Sequence, residues 1–224
     1  MPPQNRRFRL PAGVRGCAVG WRYKPIKGVL LYNLRLAALE LLASQGKANI
    51  DHTVERKMEQ LDRIIREAAA AIDVIYFQLP VDGGDPVYRE RVYCYELYHQ
   101  MRSVWPQDAQ FSLNGEVDKR AHPLWGRIQA RIAAPDLLVH TPGHMDGNHC
   151  VIEVKPSNAR REGIEKDLLT LSQFRDRAGY ERAILLFYGS IPQVLEAAIR
   201  GAGQLPTIEY WLHPAHHIPA EGFR

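Results

Sequence analysis

Residues 135 to 155, PDLLVHTPGHMDGNHCVIEVK, contain the side chains with the clearest chemical potential. Asp136 stands at the head of a short apolar run, and a turn-rich segment follows from 141 to 149. A second run, Val-Ile-Glu-Val-Lys, then has the composition of a β-strand and contains Glu153 and Lys155. Because side chains of a strand alternate between its two faces, Glu153 and Lys155 share one face. These are residue types that can bind a metal ion or move a proton.

A hairpin would bring Asp136 to the same side as these two residues. If Asp146-Gly147 forms a two-residue turn, Leu138 pairs with Lys155 and the strand faces align. Two carboxylates and one ammonium group then converge on neighbouring strands. Charged groups near a core need partners, so a purely packing role is costly. A surface strand with a cross-strand ion pair is the alternative explanation.

The combination of Pro135-Asp136 with Glu153-x-Lys155 resembles the signature of the PD-(D/E)xK nuclease superfamily. The resemblance covers roughly residues 85 to 190, and the predicted order of helices and strands agrees with it. It implies an α/β fold, namely a restriction-endonuclease-like mixed sheet flanked by helices, with an N-terminal helical extension. It also implies a metal-dependent phosphodiesterase that acts on nucleic acid, with DNA as the expected substrate.

The resemblance further implies a role for each residue of the signature. Asp136 and Glu153 would hold Mg²⁺, with Mn²⁺ as a substitute, and the backbone carbonyl of Val154 would complete the shell. Lys155 would orient the attacking water or stabilise charge on the phosphate. Two alternatives stay open. One is a catalytically inactive module of the same fold that binds nucleic acid or a protein partner. The other is a small-molecule enzyme or structural domain with an accidental E-x-K.

A helix is predicted over residues 87 to 104, because apolar side chains recur there at helical spacing. Glu90 lies inside the apolar stripe, whereas Glu96 lies on the opposite side of the helix. Members of the family often supply a further glutamate from this helix. We therefore predict Glu90 as the third acidic ligand and keep Glu96 as its substitute. The alternative is that Glu90 pairs with Arg91 or another arginine.

The first core strand is predicted over residues 109 to 118. Glu116 and Asp118 lie on its polar face, and GEVD resembles the G-x-x-D form of the acidic motif in RecB-like nucleases. Asp118 is thus a rival of Asp136, which we prefer because its strand directly precedes the E-x-K strand. The following basic segment includes Lys119 and Arg120, which could bind phosphates or simply be solvated.

The region after the signature alternates between helix and strand. A helix from about 160 to 177 has an apolar stripe, and Gln173 on it loosely matches a glutamine that the family places near the site. Residues 182 to 188, RAILLFY, read as a buried strand parallel to the E-x-K strand, with this helix as the crossover. A short helix over 191 to 200 and a strand over 208 to 212 complete the chain.

The N-terminal region is basic, with no acidic residue before Glu40. Arg22 and Lys24, together with interleaved aromatic residues, could contact nucleic acid, or the segment could be a solvated terminus. Helices are predicted over 29 to 44 and 53 to 78, as a hairpin that packs on the core or forms a homodimer contact. The expected organisation is a basic arm and helical hairpin (1–80), a nuclease-like core (81–200) and a tail packed on the core (201–224).

Composition fits a globular protein: 224 residues, 46% hydrophobic, 24% charged, with a net charge of +4. Three scattered cysteines exclude a disulfide framework, which favours a cytoplasmic location. No apolar run reaches transmembrane length, so a membrane partner is not expected. The histidines around the predicted hairpin and in the tail do not follow a zinc-binding spacing.

Overall fold

The computed structural model of the chain describes residues 52–116 and 134–223, with side chains from residue 58 onward. The helices are α1 (His52–Ala70), α2 (Val74–Phe77), α3 (Glu90–Ser103), α4 (Arg161–Ala178) and α5 (Leu195–Ala202). The strands are β1 (Leu79–Val81), β2 (Gly84–Val87), β3 (Ser112–Gly115), β4 (Leu137–His140), β5 (Asn148–Pro156), β6 (Arg182–Tyr188), β7 (Glu209–His213) and β8 (Glu221–Gly222). All described residues belong to one unit, residues 47–224.

A mixed sheet in the order β3-β4-β5-β6-β7-β8 forms the centre of this unit. β5 and β6 are buried along their whole lengths and pair in parallel, with α4 as the connection between them. A strand covered on both faces accommodates a continuous apolar run such as RAILLFY. The predicted parallel pairing is therefore confirmed, and so is the α/β architecture with a mixed sheet flanked by helices.

Each face of the sheet has its own apolar core. The helices α1 and α3 pack over Ile152 and Val154 on one face. The helices α4 and α5 pack over Val151 and Leu185 on the other face. This division follows from the alternation of side chains along β5 and β6, and it leaves β5 between two helical layers.

The pairing of β4 with β5 differs from the predicted register. Leu138 pairs with Val151 rather than with Lys155, and the chain reverses through a 3-10 turn, Met145–Gly147, instead of a two-residue turn. The predicted pairing was therefore wrong by four positions along β5. Because four is an even number, every side chain stays on its predicted face. Asp136 and Glu153 consequently remain on the same side of the sheet.

The region between α1 and α3 also differs from its prediction. The expected helix over 53 to 78 ends at Ala70, and the Asp73 side chain then caps the short α2 through the Ile75 N–H. After α2, β1 and β2 form an exposed hairpin. Gly83 in its turn has a φ of +71°, which a glycine adopts without strain.

A buried arginine fixes α1 to the sheet. The Arg182 guanidinium at the start of β6 contacts the Asp62 carboxylate of α1 at 2.7 Å and the Glu209 carboxylate of β7 at 2.6 Å. These bonds join α1, β6 and β7 at the N-terminal end of β6. They give Arg182 the partners that a buried charge needs.

Several sequence predictions fall outside the described residues. These are the basic arm with Arg22 and Lys24, the helix over 29 to 44, and the segment that contains Asp118, Lys119 and Arg120. In the described part of the chain, no helix is both long enough and apolar enough to span a membrane.

Candidate active site

Asp136 and Glu153 meet at the point where β4 begins beside β5. The register continues from Leu137 opposite Ile152, which sets Asp136 opposite Glu153. Asp136 Oδ2 accepts a hydrogen bond of 2.8 Å from the backbone N–H of Val154, and its carboxylate accepts a second one from the Glu153 carboxyl. The convergence of these two acids, which the strand alternation predicted, is therefore present.

Both carboxyl groups have a pKa above the ordinary value of their residue type. Burial raises the pKa of Glu153 well above its ordinary value, and the neighbouring charges of Asp136 and Asp167 raise it further. Burial also raises the pKa of Asp136, although the Val154 N–H and the Lys155 charge act in the opposite direction. Two acids in contact cannot both ionise cheaply in a buried place. The upward shift of the pKa is the larger one at Glu153, so Glu153 favours its protonated form more strongly than Asp136 does.

Lys155 connects this pair to helices on opposite faces of the sheet. Its Nζ lies 2.8 Å from Glu90 Oε2 at the start of α3 and 2.8 Å from Asp167 Oδ2 on α4. Burial alone would lower the pKa of Lys155, but the charges of Asp167 and Glu90 raise it above the ordinary value. The ammonium group thus stays charged and is held from two sides.

Asp167 is the member of this cluster that the sequence reasoning missed. It has 3% of its surface exposed, and burial raises its pKa to about 6 even though Lys155 lowers it. A signal was present in the sequence, because Asp167 lies three residues after Ile164 and four before Leu171, within the buried stripe of α4. The residue predicted on this helix, Gln173, is half-buried and lies about 9 Å further along the axis.

The two glutamates of α3 have different surroundings. Glu90 joins the cluster through Lys155, whereas Arg91 pairs with Glu116. Glu96 lies about 9 Å further along the helix axis, where it accepts a hydrogen bond of 2.6 Å from Gln100. The geometry thus favours Glu90 as the acidic residue that α3 supplies, and its role as a metal ligand stays a prediction.

Glu116 lies close to the site through its backbone rather than through its carboxylate. Its N–H donates to the Asp136 carbonyl at 3.1 Å, while its side chain pairs with Arg91 Nε at 3.2 Å. Glu116 also has a φ of +41°, which is unusual for a residue with a side chain. In this arrangement Glu116 covers the start of β4 but does not contact Glu153.

The donor set is suited to a hard divalent cation. In the described part of the chain, no three His, Cys, Asp or Glu side chains converge as a ready-made metal site. Asp136 and Glu153 supply carboxylate oxygens, and Val154, whose N–H bonds to Asp136, would add its carbonyl oxygen. Two carboxylates and a carbonyl oxygen are ligands that Mg²⁺ accepts together with water. The residues therefore fit Mg²⁺, with Glu90 as a further ligand only if it leaves Lys155.

The buried histidines have structural partners and lie outside this cluster. His149 contacts Glu181 at 2.7 Å and stacks on Phe111. The Tyr93 hydroxyl and His213 Nδ1 share a hydrogen bond of 2.7 Å. Burial lowers the pKa of His213 from 6.5 to about 4.

No protein-family model, curated protein or solved structure matches the chain. The functional interpretation therefore rests on the residues of the cluster and on their chemistry. Four carboxyl groups, those of Glu90, Asp136, Glu153 and Asp167, surround one ammonium group. This excess of negative charge favours a cation beside Lys155.

Proposed function

We propose that the chain is a metal-dependent nuclease that hydrolyses phosphodiester bonds of nucleic acid, with DNA as the expected substrate. The observation that supports this most strongly is the contact between Asp136 and Glu153 beside the doubly paired Lys155. A fold needs no such arrangement for packing, because several acidic groups buried side by side are costly to keep near one another. Active sites are where strongly perturbed carboxyl groups collect.

Asp136, Glu153 and the Val154 carbonyl would hold Mg²⁺ at the beginning of β4. When bound, the ion would polarise the scissile phosphate and lower the pKa of a water molecule. Because burial and the neighbouring acids raise the pKa of Glu153, its protonated form must lose a proton before it can bind the ion. Metal affinity should therefore rise with pH, because a protonated carboxyl is a poor ligand.

Lys155 would stabilise charge on the phosphate or orient the attacking water. Its ammonium group is already fixed, because Asp167 and Glu90 each contact it at 2.8 Å. If Glu90 turned toward the metal, Asp167 would still hold the ammonium group. A charged donor held in place before the reaction lowers the cost of reorganisation during it.

Nucleic acid is the proposed substrate because the site combines cation-binding acids with a lysine, and the chain has a net charge of +4. The basic residues assigned to phosphate contacts, Arg22, Lys24, Lys119 and Arg120, lie outside the described part of the chain. An inactive binding module with the same fold would bind nucleic acid without cutting it. Asp136, Glu153 and Lys155 all retain competent side chains, which favours the enzyme.

The test compares binding and cleavage in two variants. Asp136→Asn removes one negative charge and a metal ligand, so cleavage should be lost while binding without metal holds or becomes tighter. Lys155→Met should also abolish cleavage, but it should weaken metal-free binding because a positive charge is lost. Single-stranded, duplex and structured DNA and RNA are assayed with Mg²⁺ and with a chelator.

The outcomes distinguish the alternatives. Loss of cleavage in both variants with opposite effects on binding supports the enzyme, because misfolding would weaken both properties. A folded wild type that binds nucleic acid and cuts none, with any divalent ion, identifies the binding module instead. Normal cleavage by both folded variants would mean that residues 135 to 155 are structural, and the nuclease proposal would be wrong.

A further inference from the structure

An exposed ion pair lies at the edge of the candidate active site, between the start of α3 and the end of β3. Arg91 Nε contacts Glu116 Oε1 at 3.2 Å. Arg91 directly follows Glu90, whose carboxylate contacts Lys155. Glu116 directly follows β3, and its N–H donates to the Asp136 carbonyl at 3.1 Å. The pair therefore connects a neighbour of the Lys155 contact with a neighbour of the metal-binding acids.

The Arg91 guanidinium is accessible from solvent, in contrast to the ammonium group of Lys155. The Arg91 side chain keeps 69% of its surface exposed, whereas the Lys155 side chain keeps 11%. A guanidinium carries five N–H donors, and a bidentate pair with one carboxylate uses two of them. Arg91 therefore has donors left for an anion that arrives from solvent while Glu116 stays in contact with it.

The backbone of Glu116 has an unusual conformation at this place. Its φ of +41° lies in the left-handed region, which is unfavourable for a residue with a side chain. Such strain collects at functional sites, where the surrounding contacts maintain it. An exposed ion pair contributes little to stability, so the contact with Arg91 does not explain the strain as a stabilising feature.

A polyanionic substrate needs a cation outside the acidic cluster. The ammonium group of Lys155 is already in contact with two carboxylates, those of Glu90 and Asp167. The excess of carboxyl groups around it repels phosphate as long as no metal ion is bound. Arg91 provides a positive charge at the accessible edge of this cluster, where an incoming strand first meets the protein.

We infer that Arg91, held in place by Glu116, binds a backbone phosphate of the nucleic-acid substrate beside the scissile phosphate and so positions the strand over Asp136 and Glu153. This inference rests on the proposed function. Arginine side chains are common partners of phosphate oxygens, and such contacts fix the register of the nucleic acid without reading its bases. Arg91 is therefore a positioning residue, and it does not act on the reacting atoms.

The experiment compares Arg91→Gln, which removes the charge, with Arg91→Lys, which keeps the charge but loses the planar fork. The dissociation constant of a labelled DNA strand is measured with a chelator present at several salt concentrations. Values of kcat and KM are measured with Mg²⁺. Urea unfolding checks that each variant is folded.

Arg63→Gln is the matched control. The Arg63 side chain is similarly exposed, at 65% of its surface, and it also pairs with a glutamate, Glu67. Arg63 neighbours Asp62, which contacts Arg182 at the N-terminal end of β6. Lys155 lies near the C-terminal end of the parallel strand β5, so the control removes an equivalent charge at the opposite end of the sheet.

Arg91→Gln should bind DNA about tenfold more weakly, because a hydrogen bond to a charged group is worth that much. The slope of log Kd against log salt should fall by about 0.7, the value for one phosphate contact of a single strand. KM should rise accordingly while kcat stays within about twofold, since Arg91 positions the strand and does not react. Arg91→Lys should keep the salt dependence and lose part of the affinity, and Arg63→Gln should behave like the wild type.

If Arg91→Gln has the same dissociation constant, salt dependence and KM as Arg63→Gln, the inference is wrong although the nuclease proposal stands. Weaker binding with an unchanged salt dependence would also contradict the inference, because the loss would not come from a phosphate contact. A loss of kcat at unchanged KM would contradict the positioning role. If the folded wild type neither binds nor cuts nucleic acid, the proposed function and this inference are both wrong.

Discussion

Asp167→Asn removes the charge of one buried carboxylate and keeps its shape. Burial raises the pKa of Asp167 from 3.8 to about 6, although Lys155 lies 2.8 Å away. The ionised carboxylate therefore destabilises the folded protein at neutral pH, even with its partner present. The interval between the two pKa values corresponds to about 3 kcal/mol as an upper bound. Because Lys155 keeps Glu90 as a partner, the variant should be more stable than the wild type, by about 1 to 3 kcal/mol.

The difference in stability between Asp167→Asn and the wild type should increase as the pH rises. Between about pH 4 and pH 6 the folded wild type holds a proton on Asp167 that the unfolded chain has released. The contribution of this carboxyl to stability is complete below that window and is lost as the pH rises through about 6. The free energies of unfolding of variant and wild type, measured in urea, should therefore diverge across the window. Asp176→Asn, an exposed position on the same helix, should change stability by less than about 0.5 kcal/mol at every pH.

Activity should change in the opposite direction to stability. Without Asp167, Glu90 is the one remaining ion-pair partner of Lys155 within residues 52–116 and 134–223, and a shift of about 1 Å in a catalytic group can lower kcat by about 100-fold. Single-turnover cleavage measures this loss against the Asp176→Asn control. An Asp167→Asn variant that is less stable than the wild type at neutral pH, and that cleaves normally, would refute the reasoning, because the ion pair would then serve the fold.

The other predictions concern three separate places. Glu90→Gln should lower kcat more than Glu96→Gln, because only Glu90 contacts Lys155; equal rates would show that α3 supplies no functional carboxylate. His213 has a folded-state pKa of about 4 against an ordinary 6.5, so stability should fall by about 3 kcal/mol at most as the pH drops through that window. In His213→Gln the free energy of unfolding, measured in urea, should depend less on pH in this range. An unchanged pH dependence would exclude His213 as its source. Arg182→Gln should lower the free energy of unfolding by about 3 kcal/mol, because the ion pairs of Arg182 join α1, β6 and β7. It should leave kcat unchanged, because these ion pairs lie far from the cluster. A lower kcat in the folded variant would contradict this.

The sequence alone predicted that Asp136, Glu153 and Lys155 lie on the same side of two strands, because the alternation of side chains along a strand is a local property. The pairing of β4 with β5 was predicted four positions away from the observed one, yet Asp136 and Glu153 still meet. An even error in register keeps each side chain on its face, whereas an odd error would have separated the two acids. The helical stripe on α3 likewise selected Glu90 over Glu96 from spacing alone.

The remaining parts of the site depend on tertiary contacts that no short sequence pattern contains. Asp167 contacts Lys155 only because α4 crosses back over β5, and its place in the apolar stripe was the one available sign. The Asp82-Gly83 pair between β1 and β2, by contrast, is a hairpin signal that the local sequence does contain.

The central claim is that Asp136 and Glu153 form a metal-dependent centre for phosphodiester hydrolysis. The most direct measurement is the single-turnover rate of DNA and RNA cleavage by wild type and Asp136→Asn, each with Mg²⁺ and with a chelator, and with folding verified for both. We predict that the wild type cleaves nucleic acid only when Mg²⁺ is present and that Asp136→Asn does not cleave it under either condition. Cleavage by the folded variant at the wild-type rate, or a folded wild type that cuts no nucleic acid with Mg²⁺, would contradict the claim.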